Sequence, residues 1–132
     1  MMKISYEVPN PSEYNELRTA AGLSEKEVSS AKTALSRSVF SVLIRDEESK
    51  LIGMARIVGD GGCYFQIVDI AVRPPDKEIK KAIMNEITDY LRENAPKDAD
   101  VILMADVPSI GLYQTFGFDY TYPKSISLSG TL

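Results

Sequence analysis

No histidine occurs anywhere in the chain. That removes a Ser-His-Asp triad and most zinc chemistry, so no metal is expected. The one cysteine, Cys63, cannot support a disulfide framework. Beside a Gly-rich turn, and with no imidazole to lower its pKa, it reads as a packed small apolar residue and not as a thiolate nucleophile. No block of basic residues stands out on a chain whose formal charge is −4, which argues against nucleic acid or an anionic membrane as partner. No apolar run approaches the length of a membrane span and no signal-peptide pattern is visible, so a cytoplasmic location is expected. No repeat, low-complexity tract or linker divides the sequence, and residues 1–132 read as a single domain.

What is present is the composition of an ordinary globule, 44% hydrophobic and 26% charged. The stretch from Tyr64 to Glu93 organises the rest. Tyr64 to Val72 is rich in β-branched and aromatic residues and predicts a buried central strand, with Asp69 its single charge. Arg73-Pro74-Pro75 stops the strand, because proline cannot donate to a ladder. From Asp76 the period becomes helical: Ile79, Ala82, Ile83, Ile87, Tyr90 and Leu91 form one stripe, and Pro96 marks its end. A strand turning into a helix aims the free N–H groups of the helix start at whatever lies beyond the strand tip, a place suited to an anion.

Around this unit the remaining elements follow from short signals. Lys3 to Val8 predicts an edge strand. Asn10-Pro11-Ser12-Glu13 opens a helix, and Ser24-Glu25-Lys26-Glu27 is a capping box for a second one. Val39–Arg45 and Leu51–Val58 predict an antiparallel pair leading through Gly59-Asp60-Gly61-Gly62 into the central strand. Asp100 to Ala105 predicts a buried strand parallel to it, since a helix connects the two. Pro108 to Phe116 predicts a short helix closed by Gly117, and Phe118–Tyr122 with Ser125–Leu128 a last hairpin.

Gln66 to Met84, together with Leu112-Tyr113-Gln114-Thr115-Phe116-Gly117-Phe118, resembles the GNAT superfamily of acyl-CoA-dependent N-acetyltransferases. The strand Val68-Asp69-Ile70-Ala71-Val72-Arg73-Pro74, the helix Lys81-Ala82-Ile83-Met84-Asn85-Glu86-Ile87 and the Leu-Tyr, three residues, Gly-Phe signature carry the likeness over nearly the whole chain. The resemblance implies an α/β (α+β) fold: a mixed sheet of about six or seven strands, helices on both faces, and a central parallel pair that splays to admit acetyl-CoA. It implies acetyl transfer to a primary amine in a ternary complex, and a homodimer as one possible assembly.

Carried over by position, the resemblance gives the backbone of Ile70, Ala71 and Val72 to the pantetheine arm, and Lys77, Ile79, Lys80, Lys81 and Ser109 to the rest of the cofactor site. Tyr113 falls where the family places a tyrosine that protonates the departing thiolate. For a base the sequence offers Asp69, since Gln66 stands where some relatives carry Glu; a carboxylate in so apolar a run is either a functional group or the anchor of a strand bulge. Asp106, where many relatives carry Asn, reads as a cap for the Pro108 helix.

One part of the pattern is missing. The family wraps the cofactor diphosphate in a Gly-rich loop, and here Pro75, Asp76, Glu78 and Lys80 occupy those positions in a connection about two residues shorter. Asp76 and Glu78 bring negative charge; Lys80 and Lys81 either replace the loop by direct pairing or, with Asp76 and Lys80 as an i,i+4 pair, are solvated surface. The alternative function is therefore a GNAT-fold binding or dimerising module with weakened or lost catalysis.

Overall fold

The computed structural model describes residues 2–132. Its elements run β1 (Lys3–Ser5), α1 (Pro11–Ala20), α2 (Val28–Ser36), β2 (Phe40–Arg45), β3 (Leu51–Gly59), β4 (Tyr64–Val72), α3 (Lys77–Asn94), β5 (Asp100–Leu103), a 3₁₀ turn (Val107–Ser109) and α4 (Ile110–Thr115). The sheet has the order β1-β2-β3-β4-β5, antiparallel through β4, with β5 parallel to β4.

Both faces of the sheet are covered, which is why β2 is buried at Val42, Leu43 and Ile44 in succession. On one face α3 presents Ile79, Ile83, Met84, Ile87 and Leu91 to Val42, Ile44, Ile57, Phe65 and Ile67. Each such side chain contributes about 1.5–3 kcal/mol by leaving water. Gly53 lets α3 come this close, since a Cβ there would lie 3.0 Å from both Ile79 and Ile83. On the other face α1 and α2 pack Tyr14, Leu17, Ala31 and Leu35 against Leu43, Leu51, Met54 and Ala71.

Local chemistry sets the boundaries. The Asn10 and Glu13 side chains exchange hydrogen bonds with each other's backbone N–H, closing the expected capping box of α1. The box expected at Ser24 does not form: α2 begins only at Val28, without a side-chain cap. Residues 23–27 are instead drawn onto α1, where the Asn15 amide brackets the Lys26 backbone at 2.8 and 2.9 Å and Arg18 Nε donates to Ser24 O at 2.8 Å.

Five strands form among the described residues, fewer than the six or seven expected. The missing pair is the C-terminal hairpin. After α4 the Phe118 N–H is taken by Tyr113 O, and residues 121–125 close a tight turn in which Ser125 N donates to Thr121 O at 3.0 Å. With no ladder to join, Tyr120, Tyr122, Ile126 and Leu128 stay exposed. Cys63, expected to be packed, is exposed as well.

Candidate active site

β4 and β5 pair only from Tyr64↔Asp100 to Ile67↔Leu103. β5 then ends while β4 continues to Val72, so beyond Ile67 the β4 edge that faced β5 has no strand partner. Its backbone donors and acceptors there are available to a ligand. A cleft of about 690 Å³ opens at this divergence, lined by Ile67 through Val72, the end of α1, and Lys80, Asp106, Ser109 and Tyr113. Ile70, Ala71 and Val72 line this cleft. A second hollow of about 400 Å³ shares Val72, Pro75, Lys80 and Ser109 with the first and reaches Asp76 and Lys77 at the start of α3.

The divergence is accompanied by a register break between β3 and β4, between Met54 and Arg56, opposite which Asp69 adopts φ 57°. A non-glycine residue holds such a conformation only when its surroundings fix it. Here they do: Asp69 Oδ1 pairs with Arg18 Nη1, and Oδ2 accepts from Tyr14 Oη at 2.7 Å and Arg56 Nε at 2.8 Å. The side chain is only 6% exposed, and each arginine side chain 9%. Of the two roles open to Asp69, these contacts are those of the bulge anchor, since both carboxylate oxygens are engaged, Oδ1 by Arg18 and Oδ2 by Tyr14 and Arg56. Burial, then the Asp69 hydrogen bond and charge, push the Tyr14 phenol above its usual range.

Tyr113 is buried in α4 with its ring at the cleft wall. Its hydroxyl donates to Asp106 Oδ1 at 3.0 Å, Ser109 Oγ donates to Asp106 Oδ2 at 2.6 Å, and Lys80 Nζ donates to Ser109 Oγ at 2.9 Å. Lys80 also lies 3.5 Å from Asp106 and 5.8 Å from the centre of the Tyr113 ring. Burial, followed by the Asp106 charge and hydrogen bond, pushes the Tyr113 phenol far up, so it keeps its proton throughout the neutral range. For Asp106 burial acts upward, but Ser109, Tyr113 and Lys80 outweigh it and hold the carboxyl below the ordinary range. The helix-cap role expected of Asp106 is not formed, because its oxygens are committed to these side chains.

At the start of α3 the outcomes diverge. Asp76 caps the helix, accepting from Glu78 N at 2.8 Å, and so fills one of the N–H positions an external phosphate would use. The Asp76–Lys80 surface pair does not form, because Lys80 turns to Ser109 and Asp106. Lys77 lines the smaller hollow. Lys81 instead lies 3.6 Å from Glu78 and lines neither cavity. Ile79 is 4% exposed and its side chain is committed to the core, which leaves its backbone to meet a ligand.

Sequence reasoning missed Arg18 and Arg56. The signal was there: a lone carboxylate in an apolar strand requires a buried partner, and Arg56 sits between Ala55 and Ile57 on the adjacent strand. Arg18 lies one turn after Tyr14 on the buried face of α1.

No family model matches the sequence, and no curated protein does. Solved structures do. A protein of unknown function from meticillin-resistant Staphylococcus aureus, designated a probable acetyltransferase, is 37% identical over 100% of both chains, with a TM-score of 0.93. A GNAT-family acetyltransferase from Streptococcus pneumoniae is 23% identical over 100% of this chain and 98% of its own, with a TM-score of 0.78. YhbS of Escherichia coli, a GNAT-family N-acetyltransferase solved in complex with CoA, is 20% identical over 89% of this chain and 68% of its own, with a TM-score of 0.69. With the splayed strands, the Leu112-Tyr113 signature at the cleft and identity of this extent over full length, the chain belongs to the GNAT superfamily.

Proposed function

We propose that the chain transfers the acetyl group of acetyl-CoA to a primary amine by direct attack in a ternary complex. The observation that carries this reading is that the unpaired end of β4 and the Tyr113 side chain line one cleft. The pantetheine arm lies along Ile70, Ala71 and Val72, pairing with backbone groups that β5 has left free. The uncharged amine attacks the thioester carbonyl carbon and the C–S bond breaks. Tyr113 gives its proton to the thiolate, and the nitrogen releases one to solvent, leaving an amide and free CoA. Lys80, close to both Asp106 and the Tyr113 ring, offsets the negative charge that the phenol acquires. Asp69 acts here by holding the bulge that shapes the cleft and not as the base.

Lys77 and Lys80 at the mouth of the smaller hollow supply positive charge for the cofactor diphosphate, in place of a Gly-rich loop. YhbS, bound to CoA on the same fold, supports this choice of cofactor. A homodimer belongs to the same reading. β5 is an edge strand with Ile102 exposed, Met104 is exposed just beyond it, and Tyr120, Tyr122, Ile126 and Leu128 in the segment after Phe118 are exposed as well. Sedimentation equilibrium tests it, with a dimer expected.

Calorimetric titration with acetyl-CoA and desulfo-CoA, followed by thiol release across a panel of amines, tests the main proposal. Saturable cofactor binding and amine-dependent thiol release are expected. Absence of heat at millimolar cofactor would eliminate acyl transfer and leave the binding-module alternative.

A further inference from the structure

Behind the β4 bulge, on the α1/α2 side of the sheet, lies a cavity of about 450 Å³ lined by Tyr14, Lys26, Arg56 and Val58, which meets the acyl-transfer cleft at Arg18, Val68 and Asp69. Three cationic side chains, Arg18, Lys26 and Arg56, face it against a single carboxylate, that of Asp69. Both arginine side chains are more than nine-tenths buried. Neither is saturated. Arg18 spends Nε on Ser24 O and Nη1 on Asp69, and Arg56 spends Nε on Asp69 and Nη1 on Ala34 O and Ser38 Oγ. The Nη2 group of each donates to none of the described residues and neither is sealed from solvent; Arg56 lines this cavity alone, and Arg18 lines both it and the acyl-transfer cleft. A buried surplus of positive charge with unspent forked donors is costly until an anion completes it.

We propose that the acceptor amine carries an anionic group, a carboxylate or a phosphate, which Arg18 and Arg56 hold in this cavity while the amine reaches past the bulge toward Tyr113. The forked donors suit either oxyanion. Asp69 does not compete for the amine, because both its oxygens are already engaged. The identity of the amine rests on the acyl-transfer reading; the anion site does not.

The test uses the whole protein and two matched pairs, O-phosphoethanolamine against ethanolamine and β-alanine against β-alaninamide, in calorimetric binding and in thiol release from acetyl-CoA. The anionic member of at least one pair is expected to bind more tightly, and to turn over with a higher kcat/KM, by about tenfold or more; which pair responds tells phosphate from carboxylate. Arg56→Lys keeps a cation beside Asp69 but loses the free Nη2, and is expected to lose that preference while its melting temperature shows that it folds. If it does not fold, the wild-type comparison decides alone. Neutral amines bound or acetylated as well as the anionic ones would overturn the inference and leave acyl transfer standing. No binding of either anionic amine at millimolar concentration would overturn it too. Binding of an anionic amine without thiol release would uphold the anion site and count against acyl transfer.

Discussion

Arg56 on β3 donates Nε to Asp69 Oδ2 on β4 at 2.8 Å across the register break between those strands. The contact joins fold to site, because the bulge it fixes is where β4 leaves β5. Asp69→Ala would leave two guanidiniums, each 9% exposed, without their carboxylate. A loss of about 3–5 kcal/mol is expected in urea denaturation. A loss below about 1 kcal/mol would show that the bulge does not depend on this pairing.

Tyr113→Phe keeps the packing of α4 and removes the proton. Turnover is expected to fall by about a hundredfold or more, with acetyl-CoA affinity measured by calorimetry nearly unchanged. Equal turnover would remove the phenol from the mechanism.

Asp76→Ala separates the two uses of the α3 N-terminus. Loss of the cap is expected to cost about 0.5–2 kcal/mol of stability. The freed Glu78 N–H and the lost negative charge should tighten acetyl-CoA binding. Weaker binding in a folded variant would place the diphosphate elsewhere.

The pH dependence of stability follows from the shifted groups. Glu13, held low mainly by its hydrogen bond from Arg45, and Asp106 both titrate below their unfolded values. Their contribution is present above those values, about pH 4, and is lost as pH falls through the folded ones. Glu13→Gln and Asp106→Asn should each flatten the acid limb of a stability–pH curve. Tyr14 and Tyr113 are shifted upward, so the stability tied to their neutral form is intact below about pH 10 and lost as pH rises beyond it. Tyr113→Phe should flatten the alkaline limb. Turnover should likewise show no fall near pH 10 from loss of the Tyr113 proton.

β4 and α3 were legible because each is long and obeys one period, so Tyr64–Val72 appears with the expected ends and α3 starts within a residue of Asp76. The capping box at Asn10 was legible for the same local reason. Similar signals failed where distant groups competed: Asn15 and Arg18 took residues 23–27 from α2, and the last hairpin found no ladder. Within the site, Tyr113 was marked by its motif, whereas Asp106 was read as a cap and Arg18 and Arg56 were passed over.

By itself the sequence determined the layered α+β architecture, the central strand–helix unit and the position of the phenol, because periodicity and capping act over a few neighbouring residues. Tertiary structure alone decided what Asp69, Asp106 and Lys80 touch. Their partners lie from 3 to 55 residues away along the chain, at distances where one hydrogen bond outweighs local preference and no spacing rule records which pair will meet.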